Sequence, residues 1–377
     1  MKIRIRIYWL LLAVFSCCNV LGDWYLWQRA KSEECVRAAA SVRPEKIFYL
    51  AWELSVDPQG RWQWHKGAAF DPAPGDTPVL RASAAALQDP DRLVREIAGK
   101  IRSGISGTSL QLDLDVPERQ LALYGNLLRQ WRREFPEIRW SVTLLPCHLG
   151  RRELKDVLQN VDFWVLQLHG IAAPRHRQER FALMEPDTVQ KALEEARQQQ
   201  KPFFMALPTY AYVLRFYPDG RFQRLWAEGF PESQAGSEDL EIAAPDLPLI
   251  ARIIRENPDI PVIWFRLPSA LDRWALDLET IRLLEKGHAP DAGTEWQWRR
   301  EDGIRKLYFR FRYQIPFRKG MVTVPPEIRK EGEWMYFNGA AAPDLPYGAT
   351  PEAILMPPFR CGKWVLVAVL LGKEREE

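Results

Sequence analysis

The chain has 377 residues, 47% of them apolar and 27% charged, and carries a net charge of +3. Such a composition excludes a disordered chain, and the length allows one large domain with a smaller one, or two to three modest domains. A charge this close to balance, with no Lys/Arg block beyond the N-terminal segment, excludes a basic nucleic-acid surface.

Residues 1–30 read as a signal or anchor segment. Lys2, Arg4 and Arg6 precede an apolar run from Ile7 to Cys18, the order of an export signal. The run is short of the roughly 20 apolar residues that a membrane span needs. Ser16-Cys17-Cys18 resembles a lipoprotein cleavage site, with Cys17 as lipid acceptor. The competing readings are an uncleaved anchor reaching toward Trp24–Trp27, a cleaved soluble form and a cytosolic protein. The expectation is a periplasm-facing envelope protein held on the inner or outer membrane. Cys35, Cys147 and Cys361 are too widely spaced for a disulfide framework or a zinc site. Neither metal nor cofactor is expected.

A polar helix over 32–43 leads to the first strong strand, Ile47 to Glu53, in which Tyr49, Ala51 and Glu53 share one face. Arg61 to Trp64 reads as a hairpin arm, and Thr77 to Arg81 as a second strand. Leu93, Ile97 and Ile101 recur every four residues, which predicts a helix over 90–102. Ser109 to Asp115 alternates strictly: Leu110, Leu112 and Leu114 oppose Ser109, Gln111, Asp113 and Asp115. A helix from Pro117 to Phe135, a strand at 139–145 and a helix at 151–158 follow. The strand 162–169 carries Gln167 and His169 on one face. A helix over 187–200 leads to the strand from Phe203 to Tyr210. After an irregular insertion over 211–240 come a helix at 246–256, the strand Val262 to Leu267 and a helix at 275–286.

Strand–helix alternation of this kind implies an α/β fold with a parallel sheet, and over about 240 residues it matches a (β/α)8 TIM-type barrel. Its bounds are 45–290. Seven strands are evident, so either an eighth lies in 211–245 or the barrel is irregular. A doubly wound open sheet is the alternative, although no G-x-G-x-x-G stretch follows the first strand. From 292 to 377 the pattern becomes strand-like without helices, which predicts a small all-β module resembling a sandwich.

Barrel sites lie at the C-terminal ends of the strands. Glu53, Arg81, Asp113, Asp115, Thr143, Gln167, His169, Tyr210 and Arg266 end their strands, Trp264 shares a face with Arg266, and the faces opposing Glu53, Asp113 and Asp115, Gln167 and His169, and Trp264 and Arg266 are apolar. Carboxylates beside Tyr, Trp, His and Arg suit a glycan. Glycoside hydrolysis needs one protonated and one ionised carboxyl group. Asp115 and Glu53 form the candidate pair, with Asp113 setting its neighbour's charge state. Arg81, Gln167, His169, Tyr210, Trp264 and Arg266 are candidate substrate contacts. The structural alternatives are an Asp113 paired with Arg81 or Arg266, a His169 that bonds a lumen neighbour, and an Arg266 that serves as an ion-pair partner.

Leu110 to Asp115, Trp140 to Pro146, Val161 to His169 and Pro202 to Tyr210 occur together in this order. The combination resembles a bacterial family known as domain of unknown function 3142, which implies an exported TIM-barrel-like protein. More distantly, Gly107 to Asp115 is similar to the D-x-x-D-x-D-x-E strand of chitinase-like family 18 glycoside hydrolases. Matching positions two apart puts Gln111 and Asp113 on the second and third Asp, and Asp115 where the catalytic Glu belongs. Matching Leu-Asp-Leu-Asp directly puts Pro117 there, which cannot act as an acid. The resemblance leaves two readings: an enzyme hydrolysing an oligo- or polysaccharide through carboxylate acid/base chemistry, or an envelope protein that binds a glycan or the cell wall without cleaving it.

Overall fold

A computed structural model describes residues 22–27, 46–67, 71–104, 108–169, 173–179, 181–227, 240–268, 272, 274–290, 294–301, 303–311, 320–323, 334–336, 353–356 and 364–370. Cys17 and the polar helix expected over 32–43 lie outside these residues. No helix among the described residues is long and apolar enough to cross a membrane.

The first element is a four-residue strand, β1 (Asp23–Leu26), followed by β2 (Ile47–Val56), the antiparallel β3 (Trp62–Lys66) and β4 (Thr77–Ala82). Helix α1 (Pro90–Arg102) starts where Asp89 accepts the Arg92 amide and Pro90 takes the first turn. Its buried stripe of Leu93, Ile97 and Ile101 packs on the sheet. Then come β5 (Ser109–Leu114), α2 (Leu121–Glu134), β6 (Arg139–Leu144), the short α3 (Leu154–Leu158), β7 (Phe163–Gln167), α4 (Pro186–Gln198) and β8 (Phe203–Pro208). The excursion β9 (Tyr212–Phe216), β10 (Phe222–Ala227) and β11 (Leu240–Ala243) precedes α5 (Leu247–Glu256), β12 (Val262–Phe265) and α6 (Leu278–Glu285).

β1 pairs in parallel with both β2 and β12, so eight parallel strands close on themselves in the order β1, β12, β8, β7, β6, β5, β4, β2. The protein is a (β/α)8 barrel. Its eighth strand is Asp23–Leu26, within the stretch read as anchor, and not a segment of 211–245. That latter region forms a three-stranded antiparallel sheet beside the barrel, in the order β10-β9-β11. β1 escapes detection because it is only four residues long and lies within the stretch read as a signal or anchor segment.

Two packed layers follow from strand alternation. Outward residues such as Trp24, Leu80, Leu112, Val142, Trp164, Leu207 and Trp264 join the helices in one large core. Inward residues Tyr25, Phe48, Val79, Phe163, Val165, Ala206 and Ile263 fill the lumen, with Trp27, Phe204 and Phe265 against them. A register shift between Leu50 and Trp52 marks a bulge in β2. Leu50 lies level with the inward Val79, and past the bulge Glu53 lies level with Arg81. The expectation that Glu53 opposes Phe48 and Leu50 is therefore corrected: the extra residue switches parity between them.

Beyond the barrel, β13 (Thr294–Glu301), β14 (Ile304–Phe311), β15 (Gly320–Thr323), β16 (Trp334–Tyr336), β17 (Ala353–Met356) and β18 (Val365–Leu370) form antiparallel sheets. Four strands run in the order β13-β14-β18-β16, and β15 pairs with β17.

Candidate active site at the barrel mouth

Strand register assembles the site. Glu53 on β2 lies beside Arg81 on β4, and Arg81 beside Asp113 on β5. All three stand at one level near the C-terminal ends of their strands. Asp115 follows just beyond the end of β5, which closes at Leu114. The Arg81 guanidinium gathers the three carboxylates: its Nη2 donates to Asp115 Oδ2 at 3.0 Å, and its Nε lies 3.8 Å from Asp113 Oδ2 and 4.0 Å from Glu53 Oε1. Side-chain exposure is 12% for Glu53, 13% for Asp113 and 57% for Asp115. One guanidinium reaches both Glu53 and Asp115, so their carboxyl groups lie within about 10 Å, the range of glycosidase carboxylate pairs.

Burial drives the electrostatics. Asp113 is pushed up to about 6, first by loss of water, with Asp115 and Glu53 adding repulsion. Arg81 and a hydrogen bond from Thr143 oppose that rise without cancelling it. Burial draws the Arg81 guanidinium down, yet Asp113, Asp115 and Glu53 together hold it above its ordinary value. Beneath the carboxylates, the Tyr25 hydroxyl donates to Gln111 Oε1 at 2.9 Å, and Gln111 Nε2 to Thr143 Oγ1 at 3.4 Å. Trp27 lies beside this layer, its ring centroid 5.8 Å from the Arg81 guanidinium carbon and 5.2 Å from the Phe265 ring.

A second group lies across the mouth. His169 is buried, with its ring 5.1 Å from Phe265 and edge-on to Tyr210, whose hydroxyl is 3.4 Å from His169 Nδ1. Burial pushes this imidazole down to about 3, so it is neutral at physiological pH. Its Nε2 has no hydrogen-bond partner among the described residues. Arg266 reaches Asp272 at 2.8 Å, and its guanidinium lies 5.7 Å from the Tyr210 ring. Gln167 Nε2 donates to the His169 carbonyl at 2.9 Å.

One expected contact belongs elsewhere. Trp264 points outward, fully buried against Trp24, and its Nε1 donates to Glu285 at 2.9 Å on α6. Its neighbours Ile263 and Phe265 face the lumen instead. Parity counted from Arg266 misleads because β12 ends at Phe265, so Arg266 does not report the strand's faces. Tyr25, Trp27 and Phe265 join the site unforeseen. The first two sit in the stretch read as a signal or anchor segment, and alternation from Arg266 assigns Phe265 to the helix side. No group of three or more His, Cys, Asp or Glu among the described residues could hold a metal ion.

Residues 80–270 match the family described as "Domain of unknown function (DUF3142)". No curated protein matches the chain. Among solved structures, the spore cortex-lytic enzyme SleL of Bacillus cereus is 14% identical with a TM-score of 0.47, covering 72% of this chain and 76% of its own. A class V chitinase from Nicotiana tobaccum is 12% identical with a TM-score of 0.47, covering 71% and 98%. The chitinase ChiB of Flavobacterium johnsoniae is 10% identical with a TM-score of 0.45, covering 71% and 94%.

Proposed function

The chain belongs to the DUF3142 family, and we propose that within this fold it hydrolyses a glycan, using Asp113 as proton donor and a second carboxylate at the mouth as base or nucleophile. One observation carries this reading: three carboxylates converge on Arg81 while burial keeps Asp113 protonated to about pH 6. In this scheme Asp113 gives its proton to the glycosidic oxygen as the bond to the anomeric carbon breaks. Glu53 or Asp115 takes a proton from the water that adds to that carbon, or attacks it first. Excess negative charge around the cleft favours the positive charge that develops on the sugar ring. Trp27 and Phe265 supply flat faces for sugar rings and Arg266 and Gln167 polar edges, with the buried Tyr210 and His169 packed behind them.

The role of Asp113 is thus larger than its sequence position suggests, while the exposed Asp115 is ion-paired with Arg81. A polysaccharide panel assayed between about pH 5 and 7 tests this. Wild type should turn over one substrate, and Asp113→Asn should lower kcat by roughly a thousandfold with binding retained. Binding by wild type without turnover would favour the non-catalytic glycan- or cell-wall-binding reading, and absence of both would sink the glycan reading altogether.

We also propose that the protein is exported and held on the envelope membrane through its N-terminal segment, by lipid on Cys17 or by an uncleaved anchor. The first barrel strand begins at Asp23, shortly after Cys17, and runs toward the mouth. An anchor there would set the closed end of the barrel against the bilayer and the carboxylates away from it. Incorporation of a labelled lipid precursor into wild type but not Cys17→Ser would establish the lipid form.

A further inference from the structure

Outside the barrel wall, between β3 and α1, lies an open groove of about 520 Å³ lined by Trp64, Arg92, Arg95, Glu96, Gly99 and Lys100. We infer that this groove is a second binding site, and that its ligand is a saccharide carrying carboxylate groups. The choice of a saccharide rests on the glycan reading of the mouth; the preference for an anion rests on the groove alone.

Three cations line the groove against one carboxylate, and that carboxylate is already engaged. Glu96 Oε2 accepts from Trp64 Nε1 at 2.8 Å, while Oε1 lies 3.8 Å from Arg92 Nε. Among the described residues, neither Arg95 nor Lys100 has an ion-pair partner. Arg95 is exposed. The Lys100 ammonium is held 3.6 Å from the Trp52 ring centroid and 5.1 Å from that of Trp64, so it gives up part of its hydration to indole faces. Arg92 lies 4.6 Å over Trp62 in the same way. Two unmatched positive charges beside an indole wall fit a ligand with an acidic group on a ring of mixed polarity. The floor is also clear: a Cβ added at Gly99 would meet no heavy atom within 4 Å.

Position favours a glycan over a lipid headgroup. Trp52 is the residue before Glu53, and past the β2 bulge the two point to opposite faces of one ladder. The groove therefore lies behind the strand that carries Glu53 into the mouth. A polymer crossing the β2–β3 edge would meet both sites.

The test follows the indole N–H of Trp64 by NMR during titration with a galacturonate tetramer, its neutral methyl ester and phosphatidylglycerol vesicles. A Trp64→Phe variant assigns the signal. The acidic tetramer should shift it saturably, with affinity that weakens in about 0.5 M salt. The double variant Arg95→Gln/Lys100→Gln should bind at least about tenfold more weakly, as should Gly99→Glu, which sets a carboxylate on the floor while improving helix propensity. Thermal melts confirm that these variants fold, and Arg95→Glu, altered only at an exposed position, gives an independent reading. Asp113→Asn should leave the titration unchanged, which separates this site from the mouth. Equal affinity for the neutral ester, affinity of the double variant within about twofold of wild type, or a response to vesicles alone would each overturn the assignment.

Discussion

Arg81 and Asp113 stand level on neighbouring strands with Nε and Oδ2 3.8 Å apart, yet Asp113 keeps its proton to about pH 6. A cation so close would ordinarily hold a carboxylate ionised. Here burial outweighs it, and Arg81 divides its attraction among three acids. Arg81→Met should therefore raise the Asp113 pKa further, which a carbon-detected NMR titration of the carboxyl group would read. An unchanged midpoint would mean that Arg81 serves Asp115 alone. Because Arg81 is 30% exposed, water would take over part of its role, and the expected loss of stability is about 1–3 kcal/mol.

Asp113 also sets a pH dependence of folding. Its folded pKa is raised, so its contribution is complete below the unfolded value of 3.8 and is lost as pH rises through about 6. A rise of this size corresponds to on the order of 3 kcal/mol. Denaturant melts of wild type and Asp113→Asn across that window should diverge, with the variant gaining relative to wild type as pH rises. Parallel curves would show that the carboxyl group is better solvated than its surroundings indicate.

His169 acts in the opposite sense over an overlapping range. Its folded pKa is lowered to about 3, so its contribution is present above the unfolded value of 6.5 and is lost as pH falls toward 3. His169→Gln should flatten the acid limb of the stability profile. If the limb keeps its slope, the imidazole reaches water by opening locally before the fold is lost.

Much of this was legible from alternation alone. On β5, three leucines face the helices, so Gln111 and Asp113 had to face the lumen. The barrel class followed from the strand–helix rhythm. The misplacements each have a local cause. The bulge in β2 inserts one residue and reverses parity, which no periodicity count can detect. Arg266 lies past the end of its strand, so it could not report which way Trp264 points. Asp23–Leu26 adjoins an export-like leader, and its pairing partners β2 and β12 are far apart in sequence. Whether a strand closes a barrel is decided by those distant edges.

The lumen network gives a sharper test of packing than any single carboxylate. Tyr25 OH bonds Gln111 Oε1 at 2.9 Å, and Gln111 is fully buried. Tyr25→Phe keeps the ring contacts but leaves that oxygen without its donor, which should cost about 1–3 kcal/mol. Gln111→Leu should cost less in the Tyr25→Phe background than in wild type, because the orphaned oxygen then disappears. A double-mutant cycle measures the difference. Strict additivity would mean that the two groups do not depend on each other, and that the polar layer under the carboxylates is held by Thr143 instead.

Gly99 offers a prediction in the opposite direction. It lies within α1 on an exposed face, and an added Cβ would meet nothing within 4 Å. With no packing reason to exclude a side chain, Gly99→Ala should stabilise the protein by about 0.5–1 kcal/mol through helix propensity. In a chain of this size that corresponds to roughly 1 °C in Tm. Calorimetry on the intact protein reads the shift directly. A lower Tm would mean that the helix closes against β3 more tightly than the open floor implies. The groove could then not admit a sugar ring, so a stability measurement on one small substitution also bears on whether Arg95 and Lys100 can meet a ligand.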